Sequence, residues 1–316
     1  MGKKTRAYTE EYVKINGQEQ YLLAYPAEEE LPVALFLHGG PGSSEADIAY
    51  LFADTWSTLF TVVHWDQRGA GKTLARNPKA KKPTVQQLLH DTYQVVQHLK
   101  EKYNKEKILI IGHSWGTVLG TLFIKEYPEE VLAYIGAGQV IDMQENERTG
   151  YEALKKSILR AGNQKDIKAL GAIGTYPLKE FNKDMERKIM KVRKLQQKYK
   201  LAAGATPKLI MYYLKSPAFR FCDITSMIKA ADSNTEVMDF LMTYSLYHLG
   251  RNYDVPIFYL LGDRDYQTPY KIAEKYFDTI NAPCKEKFIL KGAGHMSMLD
   301  TPDSFYQALQ TVMTML

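Results

Sequence analysis

Ser114 lies in Gly112-His113-Ser114-Trp115-Gly116, between the apolar run 108–111 and a stretch compatible with a helix. One hydroxyl is thereby set at a strand-to-helix corner, the setting of a nucleophile elbow. Glycines two residues before and after the serine suit so tight a bend, where side chains would collide and the backbone is strained. A serine hydroxyl is a poor nucleophile at neutral pH, so it needs a base, and the base needs a partner that fixes its tautomer. His295, in Gly292-Ala293-Gly294-His295, is the candidate base. Gly262-Asp263-Arg264-Asp265 offers two acids between serine and histidine in chain order. Asp265 is preferred because it has cleared the strand end, whereas Asp263 is placed to cap a turn or pair with Arg264. Acyl transfer also needs donors for the oxyanion that forms on the attacked carbonyl. His38-Gly39-Gly40-Pro41-Gly42 supplies uncluttered amides, and Gly40 with Trp115 is the expected donor pair, Gly39 being the nearest substitute.

These residues must be carried by strands ending near one another. The runs 33–37, 61–65, 108–111, 131–135, 257–261 and 287–290 are short and apolar, the pattern of parallel strands buried on both faces. A hairpin is expected at the start, with 11–15 and 20–25 flanking Asn16-Gly17. Thr84 is read as a helix N-cap with Gln87 placed for a capping box, and the segment after Ser114 as a buried central helix. Thr268-Pro269 reads as an N-cap followed by a first-turn proline. The alternation predicts an α/β fold with a mostly parallel sheet flanked by helices, and its ligands at the carboxyl ends of the strands. Residues 139–250 carry helical periodicity without convincing strands. The expected division is therefore a core of 1–138 and 251–316 with a helical cap, 139–250, inserted in it.

Length and composition narrow the function. The chain has 316 residues and a net charge of +5, with the densest basic group in 178–200. There Leu178, Phe181, Met185, Ile189, Val192, Leu195 and Tyr199 recur at helix spacing, which assigns the lysines and arginines to a solvated opposite face. No nucleic-acid partner is expected. The two cysteines, Cys222 and Cys284, are too few for a disulfide framework, and no metal site or cofactor is implied. A polar, basic start without an apolar signal core points to a soluble, cytoplasmic protein without a membrane partner. Oligomeric state is not legible.

Three motifs together resemble the α/β-hydrolase superfamily and, within it, the proline iminopeptidase family of serine aminopeptidases. They are His38-Gly39-Gly40-Pro41-Gly42, Trp65-Asp66-Gln67-Arg68-Gly69-Ala70-Gly71-Lys72 and Gly112-His113-Ser114-Trp115-Gly116-Thr117. The resemblance implies an α/β-hydrolase fold with the triad Ser114, Asp265 and His295, and a bracing role for Asp66 and Arg68. It speaks against epoxide hydrolases and haloalkane dehalogenases, whose nucleophile at this place is aspartate. It also implies a small-molecule or short-peptide substrate whose amino terminus is held by cap carboxylates. The stretch 201–221 has no acidic residue. Glu145, Glu147, Asp232, Glu236 and Asp239 lie elsewhere in the cap, and Glu236 is the candidate chosen to bind the amine. The leading expectation is an aminopeptidase releasing proline or a small apolar residue. A carboxylesterase or lactonase with the same triad is the alternative, and a non-catalytic binding protein on the same scaffold the third reading.

Overall fold

Segments of five to eight residues, apolar in the central strands and alternating or polar at the edges, form an eight-stranded sheet. The structure, a computed structural model, describes residues 8–203, 207–221 and 223–316, so Cys222 lies outside the described residues. The strands are β1 (Thr9–Ile15), β2 (Gln18–Tyr25), β3 (Val33–Leu37), β4 (Thr61–Trp65), β5 (Ile108–His113), β6 (Val131–Ala137), β7 (Ile257–Gly262) and β8 (Lys285–Leu290). Their order is β1-β2-β4-β3-β5-β6-β7-β8, antiparallel from β1 through β4 and parallel from there on. Asn16 and Gly17 both take positive φ, 44° and 82°, which closes the two-residue hairpin turn.

Every residue of β3 and β4 is buried, and β3 divides its side chains between two cores. Leu35 and Leu37 face one core with Leu88, Leu99, Val118 and Phe123, from helices Val85–Tyr103 and Trp115–Glu126. Ala34 and Phe36 face the other with Trp56, Phe305 and Leu309. Trp56 stacks on Phe305 with ring centroids 5.1 Å apart, which fixes helix Pro302–Met315 against that face. Thr84 accepts a hydrogen bond from the Gln87 amide at 3.1 Å, so the N-cap forms as the sequence suggests.

Between β6 and β7 the chain forms the helices Met143–Ala161, Gln164–Gly171, Lys183–Lys198, Pro207–Leu214, Asp223–Ser233 and Thr235–Thr243. Leu154, Ile158, Leu170, Ile173 and Val192 give this layer a small core of its own. The basic helix starts later than its periodicity predicts. Asn182 accepts from the amides of Asp184 and Met185 and caps it there, leaving Leu178 and Phe181 in the preceding loop. Its charges are not all on the solvated side either. Arg193 lies one helical turn from Ile189, and both face inward. Among the described residues no helix is long and apolar enough to cross a membrane, and no group of three or more His, Cys, Asp or Glu could hold a metal ion.

Candidate active site

β5 ends in the corner that the glycines permit. Ser114 has φ 52° and ψ −117°, a strained conformation for a residue with a side chain, and helix Trp115–Glu126 starts immediately after it. A Cβ on Gly112 would stand 2.5 Å from the Gly116 carbonyl oxygen, and one on Gly116 would overlap the Leu37 carbonyl. The flanking glycines are thus dictated by backbone contact, within the elbow and against β3.

His295 and Asp265 meet behind the corner. His295 Nδ1 is 2.8 Å from Asp265 Oδ2, and both residues are buried. Asp265 also accepts from the amides of Gln267 and Thr268, at 2.8 and 2.9 Å, and from the Thr268 hydroxyl at 2.6 Å. Burial opposes its ionisation, but the His295 ring and the Thr268 donors outweigh it and hold the carboxyl below the usual aspartate range. Thr268 is therefore not the N-cap its sequence context suggests. Its side chain steadies the acid, and helix Tyr270–Phe277 begins from Pro269 without a side-chain cap. Asp263 is turned elsewhere. It accepts from the Gly292 amide at 2.7 Å and lies 3.7 Å from Lys291, so it caps a turn and pairs with Lys291 instead of Arg264.

Ser114, His295, Gly40 and Trp115 line one cavity of about 150 Å³. The Trp115 amide belongs to the first residue of its helix, which has no intrahelical acceptor, at the positive end of the helix dipole. Between the two glycines, the Gly39 amide is already taken by Glu45 Oε1 at 3.1 Å. Gly40 has φ 117°, a region that favours glycine, and it is the one that faces the cavity. Gln67 ties the parts together, accepting from Trp115 Nε1 at 2.9 Å and donating to the His38 carbonyl at 3.2 Å. Arg68 makes a two-pronged pair with Asp91 at 2.7 and 3.1 Å. Asp66 accepts from the Ser44 hydroxyl and, at 2.6 Å, from the Lys72 amide. The Lys72 ammonium joins Asp47 of the core, at 2.7 Å, to Asp223 of the cap layer, at 2.8 Å.

The residue inside the elbow motif has a role that the motif does not spell out. His113 Nε2 faces the His295 carbonyl oxygen at 2.9 Å and must donate to it, while Nδ1 faces the Glu45 carboxylate at 2.6 Å. Two acceptors require two N–H groups, which is an imidazolium ion. Burial opposes the charge, but the Glu45 carboxylate overcomes it and raises the His113 pKa above the ordinary value of 6.5. Burial likewise opposes the Glu45 charge, and the His113 ring overcomes it, so the carboxyl is held below 4.5. The pair connects the Gly39 amide to the loop that carries His295. Its linkage to pH has a defined sign. A raised histidine stabilises fully below 6.5 and loses that contribution as pH rises through its folded value. A depressed carboxylate stabilises above 4.5 and loses that contribution on acidification. The stability gap between the wild type and His113→Asn, from urea midpoints, is therefore expected to be widest near pH 5–6 and to narrow towards pH 9. A gap of constant size across that range would show that the ring is neutral.

The helices between β6 and β7 contribute an ion pair to the cavity's lining. Glu147, buried on helix Met143–Ala161, bonds the Arg193 guanidinium through one oxygen and accepts from the Tyr176 hydroxyl through the other. Arg193 Nη1 also reaches Gln196 Oε1 at 2.7 Å. Glu147 and Arg193 both face Ser114 across the cavity, with Val140, Met143, Ile189 and Leu241 as apolar lining. Glu236, the amine-binding residue chosen from sequence, is exposed on helix Thr235–Thr243 and is not among the cavity's lining residues, because that helix buries Val237 and Leu241 instead. The carboxylate that reaches the site is Glu147. Helix spacing carried a signal for its partner, since Arg193 falls one turn after Ile189. It carried none for Glu147, whose facing depends on how its helix docks.

Comparison with known proteins agrees with this fold. A family model described as the alpha/beta hydrolase fold matches residues 32–302. The chain is 26% identical over 311 residues to "Probable aminopeptidase YbaC" of Bacillus subtilis, covering 97% of this chain and 96% of that protein. It is 26% identical to the proline iminopeptidase of Thermoplasma volcanium over 174 residues, 54% of this chain and 55% of that one. The solved structure of the Mycobacterium smegmatis proline iminopeptidase superposes with a TM-score of 0.68 at 21% identity, covering 97% of this chain and 98% of that one.

Proposed function

This chain belongs to the α/β-hydrolase family, and on that premise we propose that it is a serine aminopeptidase releasing an amino-terminal proline or small apolar residue. Ser114 attacks the carbonyl carbon of the first residue while His295 takes its proton, and Asp265 holds the imidazole in the working tautomer. The oxyanion receives the Gly40 and Trp115 amides. His295 then passes the proton to the departing amine, and water releases the acyl group by the same route in reverse order.

The observation that carries the reading is the buried Glu147 carboxylate facing the same cavity as Ser114. An ammonium group entering a buried site needs a paired negative charge. Size agrees: a cavity of about 150 Å³ with an apolar lining suits a small ring such as pyrrolidine. The peptidase names of its relatives support the same substrate class.

One feature favours a second reading. Arg193 already balances the charge of Glu147, and a neutral ester or lactone fits such a site without an ammonium. Prolyl p-nitroanilide and its N-acetyl counterpart separate the two. Blocking the amine is expected to lower kcat/KM by about a hundredfold, since it removes the ammonium's charge-assisted bond to Glu147 and sets a bulky acyl group in its place. Equal rates on the two anilides would reject the aminopeptidase and favour the esterase.

A further inference from the structure

His295 lines two cavities, the small one shared with Ser114 and Glu147 and a second, larger one of about 430 Å³. The chemistry of a general acid decides what the second cavity holds, because the proton must be delivered to the leaving atom and the leaving group must lie on the histidine's side. With the acyl group confined beside Glu147, the second cavity that His295 lines is the place left for the leaving group.

The charge of that cavity is one-sided. Lys200, Lys208 and Arg264 line it, from the end of the basic helix, from helix Pro207–Leu214 and from the loop that bears Asp265. Among the described residues, Asp300 is the one carboxylate lining it. It accepts from the Gly294 amide at 2.9 Å and feels Lys208. The neighbouring Asp263 is occupied by Lys291 and the Gly292 amide. None of the three cations forms an ion pair within 4.0 Å among the described residues. Leu201, Leu209 and Met296 add apolar wall between the charges. Three cations from separate segments thus line the second cavity that His295 lines, with apolar side chains beside them.

We propose that this cavity binds the leaving group and selects one that ends in a carboxylate, so that the preferred substrates are peptides of two or three residues with a free carboxyl terminus. The assignment of sides rests on the proposed acyl-transfer mechanism, and the peptide identity on the aminopeptidase reading. Glu147 would receive the positive end of such a substrate and the Lys200–Lys208–Arg264 group its negative end.

The test varies only the leaving group, in two acyl series. Pro-Leu is compared with Pro-Leu amide, and 4-acetoxybenzoate with 4-acetoxybenzamide, in the wild type and in Lys208→Gln/Arg264→Gln. In the series turned over, the carboxylate member is expected to have kcat/KM about five- to tenfold higher at low salt, as partly exposed ion pairs allow, and the preference should shrink at high salt. The ratio should fall towards one in the double variant. It is measured within one preparation, so partial misfolding cancels. Equal rates in the wild type, or a preference surviving in the double variant, overturns the proposal. Failure of the prolyl pair with a carboxylate preference in the acetyl pair overturns the prolyl form of the aminopeptidase reading, and the prolyl-peptide identity with it, and leaves the carboxylate subsite standing. Turnover of neither pair overturns both.

Discussion

Ser114→Ala is expected to lower kcat by about five orders of magnitude or more, the scale seen when a triad nucleophile is removed, and to abolish labelling by a fluorophosphonate probe. The fold should survive. Alanine keeps the backbone amide and the Cβ, so the elbow bears the same strain at φ 52° and its contacts with β3 persist. The urea midpoint should therefore stay close to that of the wild type, which separates loss of chemistry from loss of structure. The residual rate should exceed that of water alone, because the Gly40 and Trp115 amides still polarise a bound carbonyl. His295→Gln should match it in rate, since nucleophile and base act as a unit and their removals do not add. Activity and labelling retained in Ser114→Ala would place the nucleophile elsewhere and dismantle the mechanism. A protein that binds ligands without turnover would show no covalent label even in the wild type.

How much of this arrangement was readable beforehand depended on how local the governing physics is. Val33–Leu37 was legible to the residue because a parallel strand covered on both faces reads as a continuous apolar run, and Thr61–Trp65 was legible through Val62, Val63 and Trp65, although Thr61 and His64 are buried with them. The Ser114 elbow was legible because one of its glycines, Gly112, answers to a contact inside the five-residue motif, with the Gly116 carbonyl. The acid loop was only partly so. Thr268-Pro269 has the local form of a helix start, yet the hydroxyl turns to Asp265, whose buried charge has greater need of a donor. Length and register were lost wherever a cap outweighed periodicity, as at Asn182. The pair Glu147–Arg193 joins residues 46 apart in sequence, on two helices whose facing is set by docking in the cap layer. Glu236 lies beside Val237, and on a short amphipathic helix the residue next to a buried position points to solvent as readily as to a ligand. His113 was hidden for a different reason: the motif treats its position as variable, and only the approach of Glu45 and the His295 carbonyl gives it a task.

Glu147→Gln carries the largest consequence for substrate choice. It should lower kcat/KM on prolyl substrates by about ten- to a hundredfold, mainly through KM, because it removes a charged acceptor for the ammonium while keeping a side chain of the same shape. Glu236→Gln, on the exposed face, should stay within about twofold of the wild type. The single variant also leaves Arg193, largely buried, without its counter-charge, and loss of one member of a buried pair costs about 3–5 kcal/mol when nothing replaces it. Glutamine keeps hydrogen-bonding capacity, so the cost should fall below that range. A drop in activity could then come from the cap as easily as from the amine. Glu147→Gln/Arg193→Met separates these causes, since it removes the orphaned cation and replaces the pair with an apolar contact that a buried site tolerates well. If Glu147 binds the ammonium, the double variant should regain stability while prolyl turnover stays low. Hydrolysis of N-blocked or ester substrates should then equal or exceed that of the single variant. Recovery of prolyl turnover in the double variant would instead make the pair a structural clasp, and the substrate's amine would have to be held by groups other than Glu147.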